Sequence, residues 1–376
     1  MIHTSRRALL QAGMAAAAVQ ALPVIGRAQT ATSADAQPHF EPQLSPWRTF
    51  EVTTTVTVPQ ANGVTQVWLP APNLDTDFQR TLDNSWSGDA SSIRLEPAPK
   101  GGAAMLHAEF PSDGPAPTVT FTSRVQTRNR VVDWSKPGKP HEDPAVLRAA
   151  LQPTDLQPVD GIVRTTALAA TQGASTDVEK VRAIYNWVVG NCHREPSVPG
   201  CGTGAIKAML ESGNLAGKCA DLSALFAAMC RSVGVPAREI YGVRVAPSAF
   251  GYQQLGGNPA NLSGAQHCRA EVWLSRYGWV AMDPADVLKV MRQEKPEWIK
   301  DLNNPLIAPV NKALFGSWEG NWVGFNTVND VTLPGSGASA TLPFLMYPQG
   351  QNSAGRFNEL SASAFKYAIT AKELTA

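Results

Sequence analysis

Residues 217–234 read Gly-Lys-Cys-Ala-Asp-Leu-Ser-Ala-Leu-Phe-Ala-Ala-Met-Cys-Arg-Ser-Val-Gly. Leu222, Leu225, Phe226, Met229 and Val233 fall at the spacing of one apolar helical stripe. Asp221 sits in the first turn, where a negative side chain suits the positive end of the helix dipole. Gly234 stops the helix and Pro236 prevents its resumption. Cys219 therefore lies where free backbone N–H groups and the dipole favour an anion, so its thiol ionises more easily than in solution. A thiolate nucleophile needs a base, and that base needs a group to orient it.

The second informative stretch begins at Gln266-His267-Cys268-Arg269-Ala270-Glu271-Val272-Trp273-Leu274 and ends at Trp279-Val280-Ala281-Met282-Asp283-Pro284. It predicts a β-hairpin with a loop at 275–278. Cys268, Ala270, Val272 and Leu274 point to the core, while His267 shares the other face with Arg269 and Glu271. Cys219, His267 and Asp283 supply a thiol, an imidazole and a carboxylate. With Leu274 paired to Trp279, Ala270 faces Asp283, which leaves the carboxylate about 10 Å along the strand from His267. Glu271 and Asp286 are rival carboxylates. Each residue also has a plain structural reading: a packed cysteine, a hydrogen-bonded strand histidine and a strand-ending Asp-Pro.

Outward from these stretches, the 376 residues carry 32 Lys+Arg against 31 Asp+Glu, a balance that offers no electrostatic footprint for nucleic acid. Ser5-Arg6-Arg7-Ala8-Leu9-Leu10 resembles a twin-arginine export signal. An apolar run over 12–25, shorter than the ~20 residues of a spanning helix, and Gly26-Arg27-Ala28 complete a cleavable signal peptide over 1–28. Its removal takes away Arg6, Arg7 and Arg27, moving the net charge from +1 to −2. The expectation is a periplasmic protein with no membrane span after cleavage. A disordered leader follows over 29–45, then a β-rich domain over 46–133 with alternating Phe50, Val52, Val56 and Val58. A linker with five prolines covers 134–158. Residues 159–290 form the domain holding the candidate site, and 291–376 a β-rich extension.

The five cysteines leave at least one unpaired in a monomer. Cys192 and Cys201 could bridge their loop; a metal site there lacks a fourth ligand at finger spacing. Gly200-Cys201-Gly202-Thr203-Gly204 has no Gly-Lys-Ser/Thr ending and is not a phosphate loop. Trp318 and Trp322, at i, i+4, are read as packing.

Gly217-Lys218-Cys219-Ala220-Asp221, Gly234-Val235-Pro236-Ala237-Arg238, His267 with Glu271, and Gly278-Trp279-Val280-Ala281-Met282-Asp283-Pro284 resemble the transglutaminase-like core. The resemblance covers about a third of the chain. It implies an α+β, papain-like fold in which a cysteine helix packs on an antiparallel sheet carrying His and Asp. It assigns Cys219 as nucleophile, His267 as imidazole and Asp283 as orienting carboxylate, and it brings Asp283 beside His267. Ala220 replaces a common aromatic and Cys268-Arg269 a common Ala-Trp, and no calcium-binding segment is recognisable. The expected function is cysteine-dependent acyl transfer on amide bonds of peptides or proteins, possible partners being cell-envelope substrates, by peptidase/amidase or transglutaminase chemistry through a thioester. No cofactor or metal is needed. Asn214 is a candidate oxyanion donor. The alternative is a silent binding or scaffold module on the same fold.

Overall fold

The computed structural model describes residues 38–58, 63–112, 116–337, 341–361, 363 and 365–375. The signal segment 1–28 and positions 29–37 of the expected leader lie outside these residues. Among the described residues, no helix is long and apolar enough to cross a membrane.

The fold is mixed α+β. At its centre runs the helix Cys219–Ser232, and every one of its fourteen residues is buried, not just one stripe. The face opposite the large residues carries Ala220, Ser223, Ala224, Ala227 and Ala228. The large face meets the helices Gly161–Ala170 and Asp177–Asn191, with Phe226 against the ring of Tyr185 and Val163, Ala167, Val181 and Ile184 in the same core, whereas Ser223 Oγ of the small face donates to Cys268 O of the sheet at 3.5 Å. The helix Asp177–Asn191 opens with the capping box that Thr176 and Glu179 announce. On its other side the central helix rests on a four-stranded antiparallel sheet in the order Gly278–Met282, Gln266–Leu274, Ala237–Arg244, Trp322–Asn326.

Two further sheets cover the far side. One orders Lys366–Leu374, Arg48–Thr57, Thr118–Thr127 and Gln79–Gly88. Its residues Phe50, Val52, Val125 and Ile369 pack on Val243, Val323 and Phe325 of the central sheet. The same face continues through Val56, Val119 and Phe121 onto Val67, Leu69, Leu106 and Ala108 of a five-stranded sheet. That sheet also joins the two ends of the chain, since Gln349–Asn352 pairs with Thr65–Ala71. Of the expected leader, residues 38–45 lie against this body, with Phe40 buried on Phe250 and Tyr252. An aromatic of that size gains about 2 kcal/mol by leaving water, which anchors the segment.

The hairpin register differs by one residue from the expected one. Leu274 pairs with Gly278, whose positive φ closes a tighter turn, so Ala270 faces Met282. Continuing that register sets Asp283 opposite Arg269, on the same face as His267. The looser register would have put it on the opposite face, because a one-residue slip inverts a strand.

Arg231 leaves the end of the central helix and fastens it to the sheet. It donates to Ala237 O (2.7 Å), Gln157 Oε1 (2.9 Å) and Glu239 Oε2 (2.8 Å), all buried, and Gln157 Nε2 completes the ring at Glu239 Oε1 (2.6 Å). Replacing Arg231 by Met strands the Glu239 charge and should cost about 3–5 kcal/mol. The double variant Arg231→Met/Glu239→Leu should recover much of this. Guanidinium unfolding curves of the two variants check both expectations.

Candidate active site

Cys219 is the first residue of the central helix, after Lys218 at the cap. The glycine-rich loop 200–204 wraps this end. Ala220 N donates to Cys201 O (2.9 Å), and the Asp221 carboxylate accepts from Lys218 N (3.0 Å), Thr203 N (3.0 Å) and Gly204 N (2.9 Å). A Cβ at Gly202 would collide with that carboxylate. The glycines thus serve close approach to Asp221, and Asp221 is a clamp on the loop as well as a partner for the helix dipole.

His267 lies on the second strand of the central sheet, opposite Gly242. Trp322 Nε1 donates to its carbonyl at 2.9 Å. Asp283 ends the neighbouring strand and caps the helix Pro284–Gln293, its Oδ1 accepting from Asp286 N at 3.0 Å. The other oxygen, Oδ2, is 2.8 Å from His267 Nε2. Nδ1 is then the ring nitrogen left for the Cys219 thiol, on which His267 acts. The tertiary structure therefore brings Cys219, His267 and Asp283 into one buried group.

Asn214 is placed elsewhere. It is exposed on the turn before the helix, its Oδ1 accepting from Ala216 N at 3.3 Å, and it lines a neighbouring, mostly apolar cleft that does not include Cys219. Glu271 is also engaged elsewhere, held by Arg130 (2.5 Å) and Arg238 (2.6 Å). Asp286, the other rival carboxylate, does reach the site: its Oδ2 is 3.4 Å from His267 Nε2 and its Oδ1 2.5 Å from Arg244 Nη2.

Several residues of the site escaped the sequence reading. Arg244 crosses from the next strand to Asp286. Arg269 Nε lies 3.6 Å from Asp283 Oδ2, its guanidinium 4.8 Å from the Trp322 ring centre and 5.4 Å from that of Trp318. Both tryptophans are buried, so the aromatic pair packs around this cation. All five cysteines are free, buried thiols; Cys201 Sγ donates to Gln266 O at 3.4 Å, and the thiols of Cys201 and Cys268 act electrostatically on that of Cys219. The only sequence signal for them was composition: polar and cysteine residues inside otherwise apolar strands and loops.

The electrostatics follow from these contacts. The Cys201 and Cys268 thiols, opposed by burial and aided by His267, hold Cys219 well below the usual thiol range. Burial opposes a charged His267, but Asp286 and Asp283 outweigh it, against Arg244, and raise the imidazole to about 9. Burial would raise Asp286, yet Arg244 and His267 keep its carboxyl well below the usual range. Burial and the Asp286 charge raise Asp283. Both shifts favour a thiolate beside an imidazolium. His267, Asp283 and Asp286 also offer ligand-type atoms within 4.8 Å of one another. Arg244 and Arg269 already supply the positive charge there, so this donor set is poorly suited to a cation.

Cys219 and His267 open into a cleft of about 680 Å³, whose walls include Gln266, Tyr347 and Tyr367. Gln266 Nε2 is buried there with no hydrogen-bond partner. The apolar cleft, about 550 Å³, adjoins it and shares Cys201, Tyr347 and Leu360.

Residues 164–284 match the transglutaminase-like superfamily core. The chain is 31% identical over 341 residues to an uncharacterized protein of Haemophilus influenzae, covering 86% of this chain and 91% of that one. A crystal structure from Cytophaga hutchinsonii, described as that of a candidate cysteine protease, superposes with a TM-score of 0.52 at 17% identity. That match covers 89% of this chain and 93% of the other. The periplasmic domain of TgpA from Pseudomonas aeruginosa aligns at 19% identity and a TM-score of 0.36, over 68% of this chain and 91% of that domain.

A thiolate held by these contacts should alkylate with iodoacetamide at a rate nearly flat between pH 6 and 8, whereas a free thiol accelerates toward its pKa of about 8.5. His267→Ala should slow labelling of Cys219 at pH 6.5 by at least about tenfold, because the counter-charge is lost. Peptide mapping after timed labelling measures both.

Proposed function

The chain belongs to the transglutaminase-like superfamily, and on that premise we propose that it is a cysteine-dependent acyl-transfer enzyme acting on amide bonds of peptides or proteins. The observation that carries this reading is the preformed line of charge, Cys219 to His267 to Asp283, at the wall of an open cleft. A buried thiolate is costly for a merely packed cysteine, and here the thiols of Cys201 and Cys268, the helix end and His267 all favour it.

The Cys219 sulfur attacks the carbonyl carbon of the amide. The new C–S bond pushes the carbonyl electrons onto oxygen. Two donors are available for that oxyanion: the Cys219 backbone N–H at the first helical position, and Gln266 Nε2, which lies beside Tyr367 on the cleft wall. His267, protonated at rest, gives its proton to the leaving amine, and the C–N bond breaks to leave a thioester. Asp283 holds the imidazole through Nε2 so that Nδ1 faces the sulfur. Water, activated by the now neutral His267, releases the acid; an amine in place of water gives transamidation. No cofactor enters either half.

The adjoining apolar cleft suits the side chains of a peptide. The twin-arginine-like start of the chain supports action in the periplasm, on cell-envelope peptides or proteins.

Turnover requires the imidazolium, so kcat/KM on a cleaved peptide should fall as pH rises through about 9, where His267 loses its proton. Cys219→Ala should reduce hydrolysis by at least about 10³-fold, the loss expected when a nucleophile is removed, while its far-UV spectrum stays unchanged. Full turnover by that variant would remove the reading altogether. Quantified cleavage of a peptide mixture by mass spectrometry supplies the measurement.

A further inference from the structure

The cleft around Cys219 is rimmed by Arg194, Lys218 and Lys289, and none of the three forms an ion pair with a carboxylate among the described residues. Each is fixed by an element that also builds the site. Arg194 lies on a two-residue strand paired in parallel with Ala216–Gly217, level with Gly217, and its Nε donates to Gln293 Oε1 at 2.9 Å. Lys218 is the residue before the cysteine. Lys289 is on the helix that Asp283 caps, and its Nζ donates to Gln254 O at 2.7 Å.

Arg194 repels both lysines. Burial and the Arg194 charge lower Lys218 from its ordinary value, and burial with the Arg244 charge brings Lys289 down to about 8. Nearby carboxylates answer them only in part: the Asp286 charge acts on Lys289 and the Glu195 charge on Lys218, without a direct ion pair. Glu195 is turned to Ser197, accepting from its N (2.8 Å) and Oγ (2.7 Å), and Glu359 lies on the cleft wall without an ion pair to any of them. Asp286 is taken by Arg244. The cleft thus keeps three held cations, offset only in part by the negative charges of Cys219 and Glu359.

We propose that Arg194, Lys218 and Lys289 form an anionic-group subsite, and that the substrate is an acidic peptide carrying a carboxylate close to the amide that Cys219 attacks. The proposal rests on the acyl-transfer reading for its chemistry, but the subsite can be tested without turnover. The carboxylate can come from an Asp or Glu side chain or from a free C-terminus, since both present the same two oxygens to guanidinium and ammonium donors.

The probe is a pair of alkylating agents of nearly equal size, iodoacetate and iodoacetamide. At about 10 mM salt, the rate ratio of iodoacetate to iodoacetamide at Cys219 should exceed that of free cysteine by about tenfold or more, because a cleft lined by one sign of charge concentrates the opposite one. The excess should shrink toward unity at about 1 M salt, where screening acts over ~3 Å. Lys218→Gln and Arg194→Gln should each lower the ratio severalfold. A ratio equal to that of free cysteine overturns the subsite while leaving the nucleophile intact. Parallel loss of both rates in the variants also overturns it, since the cations would then serve only the thiolate. Failure of Cys219 to react with either reagent overturns the acyl-transfer reading itself. Two competitor peptides then separate the sources: one with Glu and an amidated C-terminus, one with Gln and a free C-terminus. The one that protects Cys219 from iodoacetate at the lower concentration identifies the carboxylate, and protection by neither rejects the acidic-peptide class.

Discussion

Two carboxylates and an imidazole are buried within 4.8 Å of one another, and most of the site depends on how that charge is balanced. Unscreened like charges at this distance repel by roughly 3–4 kcal/mol even at an effective dielectric of ~20. Arg244 resolves the conflict by taking one oxygen of Asp286, and Arg269 stands beside Asp283. His267 then carries the remaining positive charge and can share it with the Cys219 sulfur. The two arginines are held from outside the cluster, Arg244 through Leu255 O and Arg269 between the rings of Trp318 and Trp322. Residues outside the Cys219–His267–Asp283 group therefore act on the protonation of those within it.

The backbone is arranged to present this network rather than merely to enclose it. The central helix is buried on all sides, so its N-terminus cannot drift relative to the sheet. Arg231 ties its far end to Glu239, and Asp221 ties its near end to the loop 200–204. The sulfur and the imidazole thus hang from two rigid elements, which is what a reaction needing sub-ångström alignment demands. The outer sheets contribute indirectly, by packing Phe50 and Val125 under the strands Ala237–Arg244 and Trp322–Asn326, the first of which pairs with the strand that carries His267.

Much of the local structure was legible in the chain. The central helix, the capping box at Thr176, the hairpin and the alternating strands each declare themselves through short-range periodicity and caps, and those signals depend on neighbours a few residues away. Register was harder. Whether Leu274 pairs with Gly278 or Trp279 turns on a single loop residue, yet it decides the face on which Asp283 falls. Arg244, Arg269 and Gln266 were not legible as site residues, because a polar residue within a strand has the same appearance whether it faces water, a partner or a cleft.

The sequence by itself determined the α+β class, the cysteine at a helix end, and a histidine and an aspartate on a hairpin, because helix stripes, caps and strand alternation are encoded over windows of a dozen residues. Only the tertiary structure decided that these three groups meet, that Asp286 and two arginines join them, and that Arg194, Lys218 and Lys289 face the same opening without carboxylate partners. Those facts depend on contacts between segments up to about a hundred residues apart, and on how burial weakens or strengthens each charge, neither of which a local pattern records.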